Sequence, residues 1–258
     1  MEPVNPAAEG VCEMAAERNE FMAWLEGWLA ARPTLSMEDL VAHAGGPEGV
    51  GIFCTDMTEC FTRTGRLASP RIAGIIPAIV NLFTRAHEVG ITTFLLTEDS
   101  HPPDSPEFDA YGPHCITGTP ESRTIPELTG LPFAHLLRII PKRTLNPALF
   151  SDLWPWLEQH GVPPVAIVCG NCTDICVYQL SLHMRNWANG MGRHARIVVP
   201  ADCVQTYSVS TTIAAQVGAL PHPGDFLHQV FLYHLALNGM EVVAAVAYGL
   251  GARGSGLG

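Results

Sequence analysis

Basic residues are scarce in this chain. Fourteen lysines and arginines stand against 25 aspartates and glutamates, a formal net charge of −11, and they form no cluster or block. Binding to nucleic acid draws on clustered cations that displace counterions from phosphates, so the composition argues against such a partner. Charge of either sign is sparse, at 15% of the 258 residues, while 47% are hydrophobic, which excludes a largely disordered chain and describes one with a substantial core. No apolar run approaches the roughly 20 residues of a membrane-spanning helix. The acidic, amphipathic stretch "AAERNEFMAWLEGWLA" near the start has no basic segment followed by an apolar one, so no signal peptide is expected. An internal repeat and a glycine-rich phosphate loop are also missing. The eight cysteines, several of them inside apolar runs, do not have the look of a secreted disulfide framework; free thiols and a cytoplasmic location are expected.

What the chain does have is a succession of apolar, β-branched runs bounded by turn residues: "GVGIFCTD", "ITTFLLTED", "LLRIIPK", "VAIVCGN", "ARIVVPAD" and "VVAAVAY". Their hydrophobicity is continuous rather than alternating, as in strands covered on both faces. Helical patterns or longer connections separate most of them, so the expected fold is α/β: a doubly wound, mainly parallel six-stranded sheet with helices on both faces. Helices are expected over "SPRIAGIIPAIVNLFTRAHEVG", over "NPALFSDLWPWLEQHG" with a kink at Pro155, and through "DFLHQVFLYHLALNGM". Val177, Leu180, Met184 and Trp187 fall at helical spacing, which places Cys176 in the first turn of a helix directly after a strand. Residues 1–48 read as a helical arm on a domain spanning 49–250, with 251–258 a flexible tail. Phe21, Trp24, Leu25, Trp28 and Leu29 form an apolar stripe that calls for a partner surface, either the chain's own domain or a sister subunit in a homo-oligomer.

Sites in doubly wound sheets form beyond the carboxyl ends of the strands. Asp56 ends the first run, Asp99 the second with His101 close behind, Lys142 the third, and "CGNCTDICVYQ" follows the fourth. An acid, an amine and a thiol can therefore meet. The helix dipole and a nearby ammonium favour a thiolate at Cys176, whereas Cys169 reads as strand packing and Cys172 as a turn residue whose backbone matters more than its sulfur. Asp99 and His101 project to one side of an extended segment and can grip one ion; mixed carboxylate and imidazole ligands suit Zn, Mn or Fe(II). His87, His183, His228 and His234 read as helix-face residues.

These strand-end residues and the "TDICV" turn resemble the isochorismatase-like cysteine hydrolase superfamily, and within it the nicotinamidases, over roughly residues 49–250. The resemblance implies a triad of Asp56, Lys142 and Cys176, with Cys176 attacking an amide carbonyl to form a thioester, Asp56 shuttling the proton and Lys142 holding both in place. It implies a cis peptide at Asn171–Cys172, and an oxyanion hole made by the backbone N–H groups of Cys172 and Cys176. It also implies a metal loop of Asp99, His101 and the His114 of "GPHC", with Glu107 as fourth ligand and Asp104 behind it, holding a divalent ion, zinc foremost. Phe61 and Tyr111 stand where the family has the aromatic walls of the substrate site, and Thr58 where it has Gln or Asn. The implied reaction is nicotinamide and water to nicotinate and ammonia. Another small amide, carbamoyl or imide substrate is the alternative, and a non-catalytic scaffold a third reading.

Overall fold

A computed structural model describes residues 6–247, with side chains from residue 16 onward. The tail at 251–258 lies outside the described residues. Nine strands occur among them: β1 (Thr34–Ser36), β2 (Val50–Thr55), β3 (Thr93–Asp99), β4 (Leu137–Lys142), β5 (Val165–Asn171), β6 (Arg196–Pro200), β7 (Val204–Gln205), β8 (Glu241–Val243) and β9 (Ala245–Ala247). The main sheet runs β4-β3-β2-β5-β6-β8 and every pairing in it is parallel. It has seven strands rather than the expected six, because β7 joins the carboxyl end of β5 after β6 has parted from it.

Every residue of β2 and β5 is buried. Successive side chains enter opposite layers, as the strand repeat requires: Ile52 and Cys54 join a core with Ile79, Leu82 and Phe83 of the helix Ile76–Glu88, whereas Phe53 joins Leu157, Leu180, Met184 and Leu232 on the other side. That second layer is built by the helices Leu153–His160, Cys176–Gly190 and Gly224–Leu237.

Two prolines correct the helix expectations. The single helix expected over 69–90 is two, Pro70–Ala73 and Ile76–Glu88, since Pro77 has no N–H for the residue 73 carbonyl and its ring crowds that carbonyl. Pro155 does not kink the next helix but sets its start. As the third residue of Leu153–His160 it needs no N–H there, while a helix running back to Asn146 would drive its ring into the carbonyl of Ser151.

The last apolar run is divided at Ala244. β8 stays in the main sheet, and β9 leaves it to pair in parallel with β1, with Ala244 N–H bonded to the Pro33 carbonyl at 2.8 Å. The helix Met37–Ala44, capped by Ser36 Oγ on the Asp39 N–H at 3.2 Å, places Met37 and Leu40 in the main core. Within the helix Pro6–Ala30, Leu25 is fully buried, and Phe21, Trp24 and Trp28 meet Tyr233 edge-on at 5.5–5.6 Å. The apolar stripe thus packs on the chain's own domain.

Candidate active site

The chain winds outward from β2 in both directions, to β3 and β4 on one side and β5 on the other, so the crevice above β2 is the sheet's switch point. Asp56 follows β2 with φ 58°, a left-handed turn that Asp tolerates. Its Oδ1 accepts the Asp99 N–H at 2.8 Å and its Oδ2 accepts Thr55 Oγ1 at 3.1 Å. Asp99 and Lys142 are register partners across β3 and β4, so their side chains emerge together. Lys142 Nζ is fully buried and lies 2.9 Å from Asp56 Oδ2, 2.5 Å from Asp99 Oδ1 and 3.5 Å from Cys176 Sγ. An ammonium has three hydrogens, and here each has a partner.

The fourth strand end makes the turn that delivers the sulfur. Gly170 has φ 108° and a Cβ there would lie 2.1 Å from the Thr55 carbonyl oxygen, so only glycine lets β5 approach β2 this closely. The Asn171–Cys172 peptide is cis, and the Asn171 side-chain amide donates to the Asp56 carbonyl at 2.5 Å. The Cys172 carbonyl accepts the N–H groups of Ile175 and Val177, both at 3.1 Å, and β7 holds the turn from outside through the Thr173 N–H on the Gln205 carbonyl at 3.1 Å. Cys176 then opens the helix Cys176–Gly190.

The electrostatics correct one expectation. Burial raises the Cys176 thiol well above its ordinary value, and although the Lys142 ammonium opposes this, Asp56 and Asp99 reinforce it. Burial first, and then the two carboxylates, therefore favour the thiol against the helix position and the ammonium. Burial and then Asp99 raise Asp56, against the pull of Lys142 and a hydrogen bond with Cys176. Asp99 goes the other way: burial opposes its ionisation, but Lys142 and the rings of His101 and His114 hold its carboxyl far below the carboxylate range. Burial also opposes charge on Lys142, yet Asp56 and Asp99 outweigh it and keep the amine protonated. The pair of acids is thereby split into one that stays charged and one that can accept a proton.

Asp99 also belongs to a second group. A ligand atom from each of Asp99, His101, Glu107 and His114 lies within 4.8 Å of the others. His101 Nε2 is 3.3 Å from Asp99 Oδ1 and 3.8 Å from Glu107 Oε1, and His114 Nε2 is 3.7 Å from Asp99 Oδ2. Buried polar atoms normally find hydrogen-bond partners, yet His101 Nε2 and Glu107 Oε1 make none. His114 Nδ1 rests on the Gly112 carbonyl at 2.8 Å, which directs Nε2 inward as an outer partner does for a metal-bound imidazole. The donor set therefore fits a divalent ion. Asp104 is exposed and outside this group, and Thr58 Oγ1 approaches Cys115 Sγ, the residue after His114, at 3.8 Å.

A cavity of about 1030 Å³ opens over both groups, lined by Asp56, Cys172, Cys176, Glu107 and His114, with Phe61 and Tyr111 among its walls. Phe61 and Tyr111 meet the His114 ring edge-on at 6.1 and 6.2 Å. Phe108, which the sequence did not single out, stands at 5.6–5.7 Å from the rings of His114 and His101. Asp174 and His222 were missed as well, as were the side-chain role of Asn171, expected only as part of the cis peptide, and that of His228, read only as a helix-face residue. Asp174 accepts His222 Nε2 at 2.7 Å, and Thr173 Oγ1 pairs with His228 Nδ1 at 2.8 Å. Asp174, inside the "TDICV" turn, had a signal in its neighbours; the two histidines come from a distant segment and had none. Cys169 is buried in the core, and the described cysteines are all free thiols. No described helix is long and apolar enough to cross a membrane.

A parallel α/β sheet with an acid, an ammonium and a thiol gathered at its switch point is the architecture of a cysteine-hydrolase-type fold. The Isochorismatase domain family matches residues 50–220, and the chain belongs to that family. Nicotinamidase 1 of Arabidopsis thaliana is 32% identical over 161 residues, covering 58% of this chain and 65% of that protein, just under two thirds of its length. Among solved structures, nicotinamidase PncA from Bacillus subtilis is 25% identical with a TM-score of 0.57 over 76% of this chain and 99% of that one. N-carbamoylsarcosine amidase from Thermoplasma acidophilum shares the fold at 21% identity, with a TM-score of 0.54 over 75% of this chain and 95% of that one.

Proposed function

We propose that the protein is a metal-containing cysteine amidohydrolase that converts nicotinamide to nicotinate and ammonia. The observation that carries this reading is the single ammonium of Lys142 contacting Asp56, Asp99 and Cys176 at once. As Cys176 Sγ attacks the amide carbonyl carbon, its proton passes to Asp56, and the N–H groups of Cys172 and Cys176 receive the developing oxyanion. Asp56 gives that proton to the leaving nitrogen, which departs as ammonia and leaves a thioester. Water then attacks the thioester, Asp56 takes its proton and returns it to sulfur, and the acid is released. Lys142 remains protonated throughout and stabilises whichever of its neighbours is negative. Asp99, His101, Glu107 and His114 would hold the ion, zinc foremost, which would supply Lewis acidity towards the substrate's ring. Phe61 and Tyr111 would flank the ring. Free thiols favour a reducing cytoplasm, and the exposed Trp24, half of its surface uncovered, favours a homo-oligomer.

Two expected results test the reading. The acid limb of kcat/KM has its midpoint above the ordinary carboxylate value of about 4, because the base form of Asp56 is lost as pH falls through a raised pKa; Asp56→Asn removes that limb along with about 10²–10⁴-fold of the rate. A profile flat through pH 5 would remove Asp56 from the proton path. Purified protein carries a divalent ion by elemental analysis; His101→Ala and His114→Ala each lose it, and chelation lowers the melting temperature of the parent but not of the variants. Metal-free parent protein with full ammonia release would defeat the metal assignment. The cavity, far larger than one pyridine ring, favours the second reading, a different small amide, carbamoyl or imide substrate; a higher kcat/KM for such a compound than for nicotinamide would establish it.

A further inference from the structure

The turn that carries Cys176 is held from outside by His222. Its Nε2 lies 2.7 Å from Asp174 Oδ2 and its Nδ1 lies 2.9 Å from the Tyr207 carbonyl oxygen. Both partners are acceptors, so the bridge is complete only when the ring donates from both nitrogens. The ring also stacks on Tyr207, with centroids 3.8 Å apart and planes 13° apart. Through its backbone, His222 exchanges two hydrogen bonds with Val209, each of 2.8 Å, which close the base of a loop containing the helix Thr211–Val217. Ile213, Val217 and Leu220 of that loop, with Tyr207 and His222, form one wall of the cavity. Asp174 is two residues from the sulfur. Burial opposes its ionisation, but the hydrogen bond from His222 lowers its pKa below the ordinary value and keeps it an acceptor.

We propose that His222 is a positioning residue: by bridging Asp174 to the Tyr207 carbonyl it fixes the Cys176 turn against the wall of the cavity formed by residues 207–222. It touches neither Cys176 nor the Asp56 and Lys142 pair, so its effect passes through Asp174. The proposal rests on the reading of Cys176 as the nucleophile.

The two side-chain bonds of His222 can be separated, because Gln places an amide donor near the position of Nε2 and Asn near that of Nδ1. His222→Gln, which keeps the Asp174 bond and loses the one to Tyr207, is expected to lower kcat by about three- to tenfold, less than the changes that lose the Asp174 bond. His222→Asn, His222→Phe and Asp174→Asn each lower it by about ten- to a hundredfold, the scale of one charge-assisted hydrogen bond, with KM changed less. Combining His222→Phe with Asp174→Asn costs no more than the worse single change, as for groups acting as one unit. The alkylation rate of Cys176 by iodoacetamide, which needs no substrate, falls in the same order. Equal behaviour of the Gln, Asn and Phe variants, or losses that track melting temperature alone, would overturn the proposal. Activity that survives Cys176→Ala would instead overturn the nucleophile reading, and the alkylation series would still decide whether His222 governs the turn.

Discussion

Cys176→Ala is expected to abolish ammonia release from nicotinamide, lowering kcat/KM by at least about 10³-fold while the protein stays folded. The loss is large because no other described group can replace the sulfur: Asp56, the nearest base, is engaged by Lys142, Thr55 and the Asp99 N–H, and Cys172 is a separate thiol that burial pushes up to about 12. The fold is spared because the change removes one small atom from a side chain at the cavity wall and leaves the Lys142 contacts to both carboxylates in place. Ammonia measured by a coupled assay, beside a thermal melt, reads both quantities. A variant that keeps even a tenth of the parent activity would mean that the carbonyl is attacked by something else, such as water activated directly by Asp56.

Lys142→Met is expected to be the most damaging single change to stability in the site, about 3–5 kcal/mol, and to eliminate activity. Its ammonium is fully buried between two carboxylates that are themselves inaccessible, so a side chain of similar length without the charge leaves Asp56 without a cation and Asp99 with only the His101 and His114 rings beside it. Two carboxylates that close cannot both ionise near neutrality, and one takes up a proton on folding. Adding Asp56→Asn to Lys142→Met removes the repulsion and restores part of the stability, but none of the catalysis. Urea denaturation of the parent, the single variants and the double variant checks this as a cycle. A Lys142→Met protein as stable as the parent would mean that water or structural relaxation compensates the two acids, and the tight cluster would not persist in solution.

Much of this was legible in the chain itself, for physical reasons that also explain the gaps. Parallel strands buried on both faces produce unbroken apolar runs, so the six main strands stood out, whereas their order in the sheet did not. β1 and β7 did not, because two or three residues make no pattern, and the division at Ala244 is hidden in a run whose members are all apolar. Pro77 and Pro155 were legible in principle: each states which carbonyl a helix cannot include. The strand-end residues Asp56, Asp99, Lys142 and Cys176 were found from position alone, since a parallel sheet collects its carboxyl ends along one edge. The protonation of Cys176 was not, because it depends on the balance of burial, one cation and two anions in three dimensions. His222 and His228 reach the turn only through tertiary folding; His228, pushed down to about 4 by burial, serves Thr173 as a neutral ring rather than a charge.

The parallel pairing of β1 with β9 has a consequence for how the chain can be handled. These two short strands are each other's sole strand partners among the described residues, so the segment ahead of β2 and the segment behind β8 shield one another's open backbone edge. Trimming the leading segment back to the start of β2 would uncover a ribbon of unpaired amide groups at Ala245–Ala247, the sort of edge that recruits strands from neighbouring molecules and ends in aggregation.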